Sequence, residues 1–123
     1  MAHEQPQNRN VQTATIANGA ALSDAVYLHG EVLVGIRMPA VWDAANLTFQ
    51  VSMDDVTYLD AYSSAGAEHV VTVTGVDTHI WVDPSAFAGY RWLIVRSGTT
   101  GTPVNQTTGA DPRVLELITR GIA

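Results

Sequence analysis

Hydrolytic or metal chemistry in this chain would fall to its four histidines, His3, His29, His69 and His79, and its twelve acidic residues. A nucleophilic triad needs serine, imidazole and carboxylate held in one oriented line, and no histidine here shares a motif with a serine. There is no Gly-x-Ser-x-Gly elbow, no phosphate-cradling glycine loop and no His-Glu-x-x-His helix. Asp54 and Asp55 are adjacent, so in a strand they project to opposite faces and cannot converge on one substrate bond. In a turn, each would bond its own local backbone. A hard-cation site built from Asp54, Asp55 and Asp60 lacks the loop spacing of an EF-hand. With no cysteine there is no thiol nucleophile, thiolate metal site or disulfide. The expectation is a protein that is not an enzyme and holds no cofactor and no metal.

The aromatic side chains offer binding instead. Trp42, Trp81 and Trp92 with Tyr58, Tyr62 and Tyr90 could stack on sugar rings, although aromatics in strands more often pack across the sheet. Trp92 lies in the most apolar stretch and reads as core or cross-strand packing. Trp42 follows Pro39 in a short turn and reads as surface-placed. Trp42, Asp54, Asp55 and Tyr58 therefore form the sugar-site alternative.

The elements that must position these residues follow a period of two. In Leu47-Thr48-Phe49-Gln50-Val51-Ser52-Met53, Leu47, Phe49, Val51 and Met53 share one face and Thr48, Gln50 and Ser52 the other. Val32, Val34 and Ile36 alternate in the same way, as do the residues of 70–76. The stretch 90–96 is apolar on much of both faces and reads as a central strand. Further strands are expected at 11–16, 25–29, 57–61, 79–82 and 113–119, and single helical turns at 39–45 and 83–89. Strands arriving every 8–12 residues between Gly and Asp turn signals argue for a sandwich. The predicted fold is an all-β, jelly-roll-like antiparallel β-sandwich of about eight or nine strands. Residues 1–10 read as a flexible N-terminal arm, and 11–123 as the single domain. Residues 97–112 form one long polar loop, a length that in compact domains is usually functional or disordered.

Composition narrows the partners. Six arginines, no lysine and twelve acids give a net charge of −6, which supplies no basic face for nucleic acid. No window approaches the ~18–20 continuous apolar residues of a membrane span, and the first eight residues lack a signal-peptide pattern. Charged residues make up 15% of the chain against a usual ~25%, and the mean hydropathy is +0.08. Such a surface suits burial against other proteins.

Five segments carry a resemblance. Ala20-Ala21-Leu22-Ser23-Asp24-Ala25-Val26, Gly35-Ile36-Arg37-Met38-Pro39-Ala40-Val41-Trp42 and Leu47-Thr48-Phe49-Gln50-Val51-Ser52-Met53-Asp54 are the first three. Phe87-Ala88-Gly89-Tyr90-Arg91-Trp92-Leu93-Ile94-Val95-Arg96-Ser97-Gly98 and Pro103-Val104-Asn105-Gln106 complete the set. Over roughly residues 15–106 the chain resembles small structural proteins of tailed bacteriophages. The strands 47–53 and 90–96 are also similar to those of discoidin-type, galactose-binding-like jelly rolls. This chain has Asp55 where those domains place Gly and Tyr58 where they often place Trp.

The phage resemblance implies a virion component, made in the bacterial host cytoplasm and carried on the capsid exterior. Jelly-roll domains serve as capsid decoration proteins, head fibres and tail accessories alike; the expectation adopted is a capsid decoration (cement) protein, a homotrimer bound to the major capsid protein. The alternative is a carbohydrate-binding adhesion module of a head fibre or tail accessory protein. On the decoration reading, the arm and the polar loop touch the shell or a neighbour. The candidate contact residues are Gln5, Gln7, Asn8, Val11, Thr99, Thr100, Asn105, Gln106 and Thr107.

Overall fold

The structure, a computed structural model, describes residues 9–121. Its strands are β1 (Arg9–Ile16), β2 (Val26–Tyr27), β3 (Val32–Arg37), β4 (Leu47–Ser52), β5 (Leu59–Asp60), β6 (His79–Trp81), β7 (Trp92–Ser97) and β8 (Arg113–Arg120). Two antiparallel four-stranded sheets form, ordered β1-β8-β3-β6 and β2-β7-β4-β5. β1 pairs with β8, β2 with β7, β3 with β6 and β4 with β5, as if one long hairpin had been rolled up. Rolling adds the β3–β8 and β4–β7 pairings. That connectivity is the jelly roll, and the chain is an all-β sandwich as its alternation predicts.

The core is the inward set of that alternation. Leu115 and Leu117 on β8, Leu47, Phe49 and Val51 on β4, and Leu93 and Val95 on β7 are buried between the sheets. Burying each such side chain is worth roughly 1.5–3 kcal/mol. Phe49 and Phe87 meet edge to face with centroids 4.8 Å apart.

Several local expectations are corrected. Residues 70–76 make no strand; Val71 alone bridges to Leu47, because the chain has just turned through 62–68 at the edge of β4. Segments 39–45 and 83–89 are turns and bends, too short to repay helix nucleation. Met53 lies beyond the end of β4 and is exposed, while Thr48 and Ser52 are buried by loop contacts outside the sheet. In β3 the pairing skips from Leu33 to Gly35, so Val34 is a bulge. Leu33 and Ile36, three apart, therefore point inward where period two had aligned Val32, Val34 and Ile36. Of the two roles expected for Trp92 it takes the cross-strand one: half-buried on the outer face of its sheet, its ring lies 4.7 Å from that of its register partner Tyr27, while Leu93 takes the inward position.

Residues 1–8 of the expected arm lie outside the described residues. Its last two, Arg9 and Asn10, already belong to β1, opposite Arg120 and Thr119.

Candidate functional site

At the end of the sandwich where β4 and β8 begin, two buried arginines hold the loops. Arg96 of β7 donates to Asp60 at 2.6 Å, to Glu68 at 3.0 Å and to the Thr48 hydroxyl at 3.2 Å. Glu68 in turn accepts the backbone N–H of Thr100 at 3.1 Å. Arg96 comes first among the groups that hold the Asp60 carboxyl below its ordinary range, followed by Thr100. Arg113 of β8 donates to the Gln106 side chain at 3.1 Å, to Asp43 at 3.3 Å and to the backbone carbonyls of Thr108 at 2.6 Å and Asp111 at 3.0 Å. The Asp43 carboxylate also accepts the backbone N–H groups of Thr107 at 2.9 Å and Thr108 at 3.3 Å. The Thr107 backbone N–H, then Thr108, lower its pKa to about 2, with the Arg113 charge contributing further.

These contacts decide where the expected contact residues lie. Thr100, Asn105 and Thr107 are exposed on the braced loop, and Thr99 is half-buried. Gln106 is not a surface group: it is fully buried. Its amide accepts from Asp43 N at 2.7 Å and donates to Asp43 O at 2.9 Å and to the Ser97 hydroxyl at 2.7 Å. With the bond accepted from Arg113, all four hydrogen-bonding positions of the amide are filled, leaving none for a partner. Gln5, Gln7 and Asn8 lie outside the described residues.

The sugar-site set does not assemble. Trp42 is half-buried at the braced end, its indole N–H bonded to the Ala45 carbonyl at 3.0 Å. Asp54, Asp55 and Tyr58 follow the other end of β4, roughly 17 Å away at ~3.4 Å per strand residue. There Asp54 builds its own turn, accepting the backbone N–H groups of Val56 and Thr57 and the Ser52 hydroxyl, each at 3.0 Å. The Thr57 and Val56 amides hold its carboxyl below the ordinary range. Asp55 sits in the left-handed region at φ 60 and accepts the Tyr58 hydroxyl. Burial, reinforced by that bond, pushes the Tyr58 phenol up to about 12.

Two features escaped sequence reading. The first is an apolar row across the outer face of the β1-β8-β3-β6 sheet. The registers place Val11 beside Ile118, Ile118 beside Gly35, and Gly35 beside Trp81. Val11 is 59% exposed and Trp81 74%. Because Gly35 brings no side chain to the row, a groove of about 500 Å³ opens between Ile118 and Trp81, with Arg120 and His79 among its lining residues. The neighbouring row is polar: Thr13, Glu116, Arg37 and His79.

The second is a cavity of about 340 Å³ lined by Tyr62, Ser63, Ser64, His69, Asp83, Ser85, Phe87 and Tyr90 among others. The β5–β6 connection supplies Tyr62 to His69, and the β6–β7 connection supplies Asp83 to Tyr90. The His69 ring stands edge-on to Phe87 with centroids 5.0 Å apart. Asp83 accepts the Ser85 N–H and hydroxyl at 3.0 Å each. Those two bonds, then the nearby imidazole of His69, hold the Asp83 carboxyl below its usual range. Ser85 thus bonds the acid, and none of the hydrogen bonds formed among the described residues joins a serine hydroxyl to an imidazole. The group is a polar–aromatic cavity and not a triad. No cluster of three or more His, Asp or Glu is placed to hold a metal ion among the described residues.

No family model matches the chain, and no curated protein matches it.

Proposed function

We propose that this chain is a structural protein of tailed-phage virions, a non-catalytic decoration protein that binds the outer capsid surface as a homotrimer. The observation carrying the proposal is the row Val11–Ile118–Gly35–Trp81. An exposed apolar band spanning a whole sheet, on a chain with few charges, is a surface suited to burial. The major capsid protein is the partner of this face. A specific contact needs about 1,000 Å² of buried surface or more, and one face of a four-stranded sheet with its flanking loops is of that order.

The braced loop supports the same reading. Two arginines and Gln106 fix the segment that displays Thr100, Asn105 and Thr107, so a neighbour meets a surface whose ordering cost was met in folding. Three copies then attach with an effective concentration that single contacts lack.

The test is co-sedimentation of the purified protein with undecorated shells. Wild-type protein is expected in the pellet, and Trp81→Asp in the supernatant. Equal binding of the two overturns the assignment of this face.

A further inference from the structure

We propose that the cavity between Tyr62, His69, Asp83 and Tyr90 binds a neutral saccharide. The inference does not rest on the decoration reading: the cavity adjoins the outer-face groove at Pro84, but the two share no lining residue.

The size and form of the cavity admit a small molecule. At about 340 Å³ it lies within the roughly 300–1,000 Å³ of small-molecule sites. Its walls come from two loops anchored to the sandwich. The first is pinned where His69 N donates to Ala61 O at 2.9 Å and Ser63 N to Ala67 O at 2.8 Å. The second is pinned by Ala86 N to Asp83 O at 3.0 Å and by Phe87, which is buried in the core. A site on braced loops is preorganised, and a weakly held ligand benefits from that.

The lining selects the chemical class. Tyr62 and Tyr90 offer ring surfaces to the C–H face of a pyranose, while Asp83, His69 and the serine hydroxyls offer hydrogen-bond acceptors and donors. Both bonds from Ser85 end on Oδ1 of Asp83, which leaves Oδ2 to accept from a ligand hydroxyl. No arginine is among the residues lining this cavity and the chain has no lysine, so a phosphate or carboxylate would meet Asp83 without a cation clamp. A wholly apolar ligand would bury the Asp83 charge unpaired, which is costly. A quaternary ammonium would use the rings and the carboxylate and gain nothing from the hydroxyls. A molecule with several hydroxyls and one apolar face answers all of these groups at once.

The cavity also accounts for the failure of the sequence-level sugar site. Trp42 and Asp54 are separated by the length of β4, whereas Tyr62, His69 and Asp83 converge although they are distant in sequence.

The test uses the full-length protein and a panel of monosaccharides and their methyl glycosides, followed by amide chemical shifts. At least one sugar at millimolar concentration is expected to shift the amides of Tyr62, Ser63, His69 and 83–90 together. Asp83→Ala and Tyr62→Ala are each expected to weaken that sugar at least tenfold. Both residues are exposed, so the fold is expected to survive, and unchanged shifts elsewhere verify it. Trp42→Ala should leave the affinity unchanged. The proposal is overturned if no sugar moves these amides, if choline or inorganic phosphate moves them where sugars do not, or if Asp83→Ala binds as well as wild type. Shell co-sedimentation is unaffected by Asp83→Ala on this account, so loss of sugar binding and loss of capsid binding are separable.

Discussion

Arg113 and Gln106 lie seven residues apart, yet meet side chain to side chain at 3.1 Å in the buried end of the sandwich. The bond ties the first residue of β8 to the loop before it, and Gln106 passes the connection on to Asp43 and Ser97. In loop 97–112 the Ser97 hydroxyl and the Gln106 amide belong to this buried network, while Thr100, Thr102, Asn105, Thr107 and Thr108 are exposed.

Arg96 is the most exacting of these contacts. Arg96→Met is expected to lower stability by about 3–5 kcal/mol, since Asp60 and Glu68 would keep largely sheltered charges without a cation beside them. Urea denaturation measures it. A loss under about 1 kcal/mol, within the range of a surface ion pair, would contradict the reading.

Asp43 makes stability depend on acid. Its folded pKa is depressed to about 2 from 3.8, so its contribution is complete above pH 4 and is lost as pH falls toward 2. Melting temperature followed between pH 5 and pH 2 should fall more steeply for wild type than for Asp43→Asn, which has no proton to take up. Parallel curves would show that the Thr107 and Thr108 amides do not favour the charged form.

Gly98 cannot carry a side chain. Its φ is +93°, and a Cβ there would lie 2.5 Å from the Thr102 carbonyl oxygen and 2.7 Å from the Val104 nitrogen. Backbone atoms on both sides leave nothing to swing aside. Gly98→Ala should cost about 2 kcal/mol or more, whereas Gly101→Ala, with open space around it, should cost far less. Equal melting temperatures for the two variants would refute this.

The apolar row should be neutral for folding. Val11→Asp and Trp81→Asp replace exposed side chains, so each is expected within about 0.5 kcal/mol of wild type. Light scattering should show a trimer for the wild-type protein. A row whose substitution unfolds the domain would be a structural face and not a contact face.

The sandwich was legible because its strands obey one rule: Leu47, Phe49 and Val51 alternate with polar neighbours, and on β8 Leu115 and Leu117 are buried where Val114, Glu116 and Ile118 are not. Where a local event shifted the phase, sequence reading failed. The bulge at Val34 is invisible in an apolar run, and residues 70–76 have the alternation of a strand but lack a partner beyond Leu47. Site residues were harder to read, because exposure depends on long-range contacts. Gln106 resembles any loop amide until Arg113, Asp43 and Ser97 are seen around it. Val11 was identifiable as an apolar residue near the chain's start, but its row needed the registers to Ile118, Gly35 and Trp81. The one local signal is Trp81, two residues from His79 in a short strand, and it does not stand out in the sequence from the other tryptophans.

A cryo-electron reconstruction of the native particle tests the central claim most directly. Eight-stranded sandwiches are expected in groups of three on the outside of the head, with Val11, Ile118 and Trp81 against the capsid protein. Sandwiches confined to the tail, or seated on the head with Trp81 facing solvent, would contradict it.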